Sequence, residues 1–248
     1  NNIKVTGTVQ GSGYVGGVLG NITGGQIVDS YHIGNVNGES EVGGVIGGSP
    51  NSIVSRVFHI GPVYGDLQSG GIVGSFTGQL SDSFSAGRIS GLESVGGIVG
   101  RESGNSETDL ITRSYTVALV ESETENNARV GTVIGYNAND NLNLSSNYYL
   151  QNNEYSGIGE SNVADTSIEL SAAQLQCPQN TNDANCSPLL YGDWDDTAPI
   201  WDFGSNNDYP GLIINGVIHR VADFDNDSVH DSIDLYPSIS IGNLLDTD

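Results

Sequence analysis

Apolar positions in the first half of the chain fall in short clusters broken by glycine, with no helical spacing. A six-residue box reads VGGVLG at Val15–Gly20, VGGVIG at Val42–Gly47, SGGIVG at Ser69–Gly74, VGGIVG at Val95–Gly100 and VGTVIG at Val130–Gly135. The box starts lie 27, 27, 26 and 35 residues apart. A second box, GxVxG, keeps step from Gly7, Gly34 and Gly61, and from Gly87 as GRISG. A third joins an apolar residue to an aromatic one: IVDSYHIG from Ile27, VSRVFHIG from Val54, LSDSFSAG from Leu80, ITRSYTVA from Ile111 and LSSNYYLQ from Leu144. Three boxes in fixed order at one period mark a stacked-repeat protein.

Each repeat holds three short β-favouring runs. A helix is disfavoured because every interior glycine costs roughly 1 kcal/mol against alanine. Glycine instead permits the positive φ that a sharp corner needs. Three strands and three corners per coil of about 27 residues predict an all-β solenoid of roughly triangular section over residues 1–150. Coils stacked about 4.8 Å apart pair each strand with its equivalents above and below. No single coil buries its inward Val, Ile and Leu alone, so Val18, Val45, Ile72 and Ile98 are expected to stack.

Tyr31, Phe58, Phe84, Tyr115 and Tyr148 share one position of the repeat. They read as a packed ladder, with an exposed sugar-stacking strip as the alternative. His32 and His59 follow two of them, but Ser85 and Thr116 replace histidine further on, which argues against a metal ladder. The longer fourth spacing carries about eight extra residues around 101–109 and 121–125, read as solvated acidic loops.

Past Leu150 the repeats stop, and a mixed capping region is expected over 151–220. Ser171 followed by Gln174 has capping-box spacing for one short helix. Trp194, Trp201 and the aromatic run that contains them are expected to cover the hydrophobic end of the last coil. Cys177 and Cys186 are the only cysteines. They are free thiols or one disulfide staple, and the extracellular features below favour the staple.

Charge narrows the partners. The 248 residues carry 30 acids against 7 bases, and residues 151–248 hold a single base, Arg220. Nucleic acid is excluded as a partner, because phosphate binding needs a basic patch. No apolar run approaches the roughly 20 residues that cross a bilayer. With no methionine at all, the chain is expected to be a mature protein that has lost a signal peptide, or a fragment.

The acidic tail, 221–248, holds the clearest candidate chemistry. Asp223, Asp225, Asp227, Val229, Asp231 and Asp234 stand at positions 1, 3, 5, 7, 9 and 12 of a 12-residue window. Those are the ligand positions of a calcium loop, position 7 through its carbonyl. Ser228 replaces the usual glycine at position 6, and Asp replaces Glu at position 12. Ca2+ is therefore the expected cofactor.

The VGGIVG and GxVxG boxes resemble the GLUG motif of large bacterial surface and secreted proteins, over about residues 4–150. Asp223–Pro237, DFDNDSVHDSIDLYP, is similar to thrombospondin-type calcium repeats of bacterial exoproteins. These resemblances imply an extracellular or cell-surface, adhesive setting, and they bring no catalytic residue. The expected function is an extracellular structural or adhesive protein, a subunit of a self-assembling surface filament stabilised by calcium. Its expected partners are copies of itself, head to tail, and surface glycans or other cells. Ser238–Ile241 is the segment expected to add as a strand to the next subunit's first coil. The alternative is a secreted β-helical protein that binds or degrades polysaccharide. Against an enzyme, the coil acids Asp29, Glu39, Glu41, Asp66, Asp82 and Glu93 scatter over different positions of the repeat.

Overall fold

The computed structural model describes residues 2–125, 129–151, 154–176, 190–194, 199–204 and 208–221. Cys177, Cys186, the Asp223–Asp234 window and Ser238–Ile241 lie outside the described residues. The chain winds into a parallel β-solenoid of about six turns. Two of its ladders match the first two boxes residue for residue. Val15, Val42, Ser69, Val95 and Val130 pair in succession. So do Val9, Val36, Val63, Ile89 and Val120. Val18, Val45 and Ile72 each donate a backbone N–H to the carbonyl of Val45, Ile72 and Ile98 in turn, which is the expected stack.

The third ladder differs from a simple flat face. In the second full coil it is one long strand, Ile46–Ile60, bent at Asn51 (φ 53°) and Arg56 (φ 50°). It carries the tail of the glycine box, the Val54 segment and the aromatic segment around two bends. The second bend recurs at Asp29, Arg56, Asp82, Arg113 and Ser146, all with φ between 46° and 54°. Such backbone costs a non-glycine residue roughly 1–2 kcal/mol. Here the charges alternate up the stack. The Arg56 guanidinium forks onto Asp29 at 2.6 and 2.8 Å, and Arg113 onto Asp82 at 2.7 Å twice. Paired forks of this kind fix geometry and offset the strained backbone.

Glycine is obligatory where the aromatic segment turns into the second box. Gly34, Gly61 and Gly87 have φ of 141°, 137° and 121°. A Cβ there would stand 2.1, 2.3 and 2.3 Å from the carbonyl oxygen of the equivalent glycine one coil earlier.

The ladder runs on beyond Leu150. Ile158–Glu160 pairs with Ile134–Asn137, and Ile168–Leu170 pairs with Tyr148–Leu150. The helix Ala172–Leu175 follows, with Ser171 and Gln174 making the reciprocal capping box, and buries Leu175.

The aromatic C-terminal region lies along the side of the solenoid and not over its end. Trp201–Asp202, Gly211–Ile214 and Val217–His219 form a small antiparallel sheet. His219 packs on Tyr31 and Phe58, Trp201 on Phe84 and Tyr115, and Trp194 on Tyr115 and Tyr148. Tyr115 Oη donates to the Pro210 carbonyl at 2.7 Å. The physical reason is the column itself. Tyr31, Phe58, Phe84 and Tyr115 stack ring on ring at 4.5, 4.7 and 5.3 Å on the outer face. An apolar stripe along several coils needs a cover, and the aromatic C-terminal region, a strap across these coils, supplies it. The stripe is thus a packed ladder with no open sugar-stacking face.

Candidate functional site

The expected calcium ligands and the cysteines fall outside the described residues. Among the described residues no group of three or more His, Cys, Asp or Glu is placed to hold a metal ion. Nor is any helix there long and apolar enough to cross a membrane. The structure instead offers two polar constellations that sequence reasoning missed or misjudged.

One lies in the long fourth repeat, whose first loop was expected to be solvated. Glu102 and Asp109 are buried, at 0 and 2 % exposure. The strand pattern puts Glu102 in the interior column, paired with Phe76 on one side and Asn137 on the other. Asp109 Oδ1 accepts from the Gly78 N–H at 2.9 Å, and Oδ2 accepts from Asn139 Nδ2 at 2.9 Å and the Ser106 N–H at 3.3 Å. Three donors account for a carboxylate at that depth. Glu102 is poorer in partners: Oε1 accepts the Gly104 N–H at 2.9 Å, and Oε2 has no hydrogen bond. Burial pushes Glu102 up to about 7, with the Asp109 charge adding to the rise and the Gly104 N–H opposing it. The two carboxyls flank Gly104, where a Cβ would stand 2.1 Å from Asp109 Oδ2 and 2.7 Å from Glu102 Oε1. Such a pair could share acid–base work, but it is sealed from solvent, so its role is to shape the loop. The signal in the sequence was the acid at a ladder position, two residues after the box.

The other is on the outer surface beside the glycine boxes. Asn21, Gly48, Ser75, Arg101, Tyr136 and Glu160 succeed one another up the stack. Tyr14, 53 % exposed, lies over Gly48, where a Cβ would meet its ring at 2.7 Å. The result is a groove of about 160 Å³ lined by Tyr14, Asn21, Glu41, Ser75, Thr77 and Ser103. An aromatic floor-edge with hydroxyls, an amide and a carboxylate can recognise a polar, hydroxyl-bearing surface. Further up, the guanidiniums of Arg129 and Arg101 lie 4.3 and 5.4 Å from the Tyr136 ring, and Arg129 bridges Glu93 and Glu160 at 3.0 and 2.9 Å.

Protein-family models, curated proteins and solved structures give no match to this chain.

Proposed function

We propose that the chain is an extracellular structural or adhesive protein, a subunit of a self-assembling surface filament, with calcium ordering its acidic tail. The observation that carries this reading is the edge of the parallel ladder. Among the described residues, Lys4–Thr6, Val9–Gln10, Val15–Gly16 and Leu19–Asn21 pair only with the coil that follows them. A further parallel strand, in this reading, adds to their other sides and pairs with the main-chain donors and acceptors there. In this reading a second copy supplies that strand from Ser238–Ile241, and Asp223, Asp225, Asp227, Asp231, Asp234 and the Val229 carbonyl hold Ca2+ beside it. Head-to-tail addition of this kind does not close on itself and makes a fibre. The reading needs no catalytic step.

Negative-stain imaging and sedimentation of the chain with and without calcium test it. Filaments that need calcium, and that vanish on deletion of residues 237–248 while the circular dichroism of the solenoid persists, are the expected result. A monomer at high concentration in calcium refutes it.

The second reading, a secreted polysaccharide-binding protein, is favoured by one observation, the groove beside the exposed Tyr14 ring. Retention on insoluble polysaccharide that is lost in Tyr14→Ala and kept in Tyr14→Phe would support it.

A further inference from the structure

On the strands of Tyr31, Phe58, Phe84 and Tyr115 the residue after the ring points into the coil and lies against the second glycine of the box. In the first two full coils that residue is histidine. A Cβ on Gly17 would stand 2.3 Å from the His32 ring, and one on Gly44 would stand 2.3 Å from the His59 ring. Glycine is therefore what admits an imidazole to the interior, where both histidines are completely buried. The two side chains do not repeat one another. His32 Nε2 lies 2.9 Å from the Gly7 carbonyl oxygen, one coil earlier, while His59 Nε2 lies 2.9 Å from that of Gly61, in its own coil. Between them the two Nδ1 atoms face each other at 3.2 Å, with the rings parallel to within 1°.

The row runs carbonyl, imidazole, imidazole, carbonyl, and its proton count is short. It contains three polar contacts at hydrogen-bond distance, but two neutral imidazoles carry only two N–H groups. Each carbonyl can only accept. Satisfying both ends leaves two bare Nδ1 lone pairs face to face, and moving a proton to the middle leaves a carbonyl facing a bare Nε2. One added proton turns all three contacts into hydrogen bonds, the central one charge-assisted, but the cost of burying the charge outweighs that gain, so the folded pair takes the proton less readily than free imidazoles do. A second added proton would put an N–H on both Nδ1 atoms at 3.2 Å, and the contact would have to break.

We propose that His32 and His59 form one buried proton-binding site, which takes up a single proton held between the two Nδ1 atoms and acts as an acid-sensitive latch between the first coils.

The surroundings leave the pair to itself. Lys4, on the adjacent strand, lies over the outer Tyr31 ring at 5.6 Å, and His219 packs outside on Tyr31 and Phe58. Asp29 and Arg56, at the bend before each histidine, bind one another. Ser85, next in the interior column, bonds the Gly97 carbonyl and Thr116 Oγ1. Burial holds His32 below the ordinary imidazole range, against the opposing pull of the Gly7 carbonyl. Burial first, and the His32 charge second, push His59 down to about 3. Two such groups in contact titrate as a pair and not as individuals. The sign follows: unfolded imidazoles take protons near their ordinary value and the folded pair takes them lower. The stability held by the neutral pair is thus fully present above that ordinary value and is lost as the pH falls.

Nitrogen-15 NMR of the imidazole rings, from neutral pH downward on the intact chain, tests the site. His32 and His59 should move together in one step below the ordinary imidazole range, with a strongly deshielded shared proton, while His219 moves separately. In His59→Gln, His32 should lose that proton signal and titrate at a different pH. Independent titration of the two rings, or no titration of either before the whole chain unfolds, overturns the proposal, and the wild-type titration decides this even if the variant does not fold.

Discussion

Glu102→Gln should make this protein more stable in alkali and leave it unchanged in acid. Glu102 is fully buried, accepts one backbone N–H and has its second oxygen unbonded. In the unfolded chain it ionises near its ordinary value of 4.5, and in the folded chain burial raises this to about 7. A raised carboxyl means that the folded state holds a proton which the unfolded state has released. Stability therefore falls as the pH rises through that interval, and it is lowest above about pH 7. At roughly 1.36 kcal/mol per pH unit the interval amounts to about 3 kcal/mol. Glutamine keeps the shape and the acceptor for Gly104 without the charge. Urea unfolding of both chains, followed by far-ultraviolet circular dichroism, gives the difference directly, and the other acids cancel because both chains share them. The two should agree near pH 4 and separate to about 3 kcal/mol near pH 8.5, with the glutamine chain the more stable. A difference that is flat across pH, or a glutamine chain less stable in alkali, would show that Glu102 is ionised at no cost in the fold.

Gly44→Ala should cost about 4 kcal/mol or more, since the new Cβ would stand 2.2 Å from the Gly71 carbonyl and 2.3 Å from the His59 ring. Gly13→Ala, with nothing within 4 Å, should change stability by less than about 0.5 kcal/mol, and thermal unfolding of the pair checks the contrast. Arg56 holds the Asp29 carboxyl below its ordinary 3.8. A double-mutant cycle of Asp29→Asn and Arg56→Gln should give a coupling of about 0.5–1 kcal/mol for this partly exposed pair. That coupling should be present above pH 3.8 and fade as the pH falls through the lowered value. Trp201→Ala should cost about 3–5 kcal/mol, and limited proteolysis should then cut the strap before the coils, whereas coils and strap cut together would mean that the two unfold as one unit.

The coils were legible because a stacked repeat writes the same constraint several times. A glycine that must sit against a backbone carbonyl one coil away recurs as Gly34, Gly61 and Gly87, and the period follows from it. What single copies encode was not legible. The strap is present once, so nothing in the sequence told whether Trp194 and Trp201 cover the end of the solenoid or its side. The continuation through Ile158–Glu160 and Ile168–Leu170 was missed because it keeps the strand pairing without the glycine box. The burial of Glu102 and Asp109 was hidden by composition. Their neighbours are polar, as in any solvated loop, and only the ladder partners Phe76 and Asn137 show that position 102 points inward.

The aromatic segment also shows why the register holds. Successive residues on a strand face opposite sides, so a slip of one residue would exchange its two columns. The outer column then would offer His32, His59, Ser85 and Thr116 to the strap, and the inner column would press Tyr31, Phe58, Phe84 and Tyr115 against glycine. The interior has no room for that. A Cβ on Gly17, Gly44, Gly71 or Gly97 would already meet the inward side chain at 2.3, 2.3, 2.7 and 2.9 Å. The last full coil departs from this rule consistently. There Tyr149 points inward and is buried, the glycine gives way to Thr132, and the hydroxyl of Thr132 bonds the Tyr155 carbonyl at 2.9 Å. A larger ring inside thus coincides with a side chain where the tighter coils have none, and with the 35-residue spacing that precedes it. In the four coils that keep the second glycine, the match between that glycine and the inward side chain sets which residue reaches the interior. The same matching places two imidazoles nose to nose in the only two coils that carry histidine in the inner column.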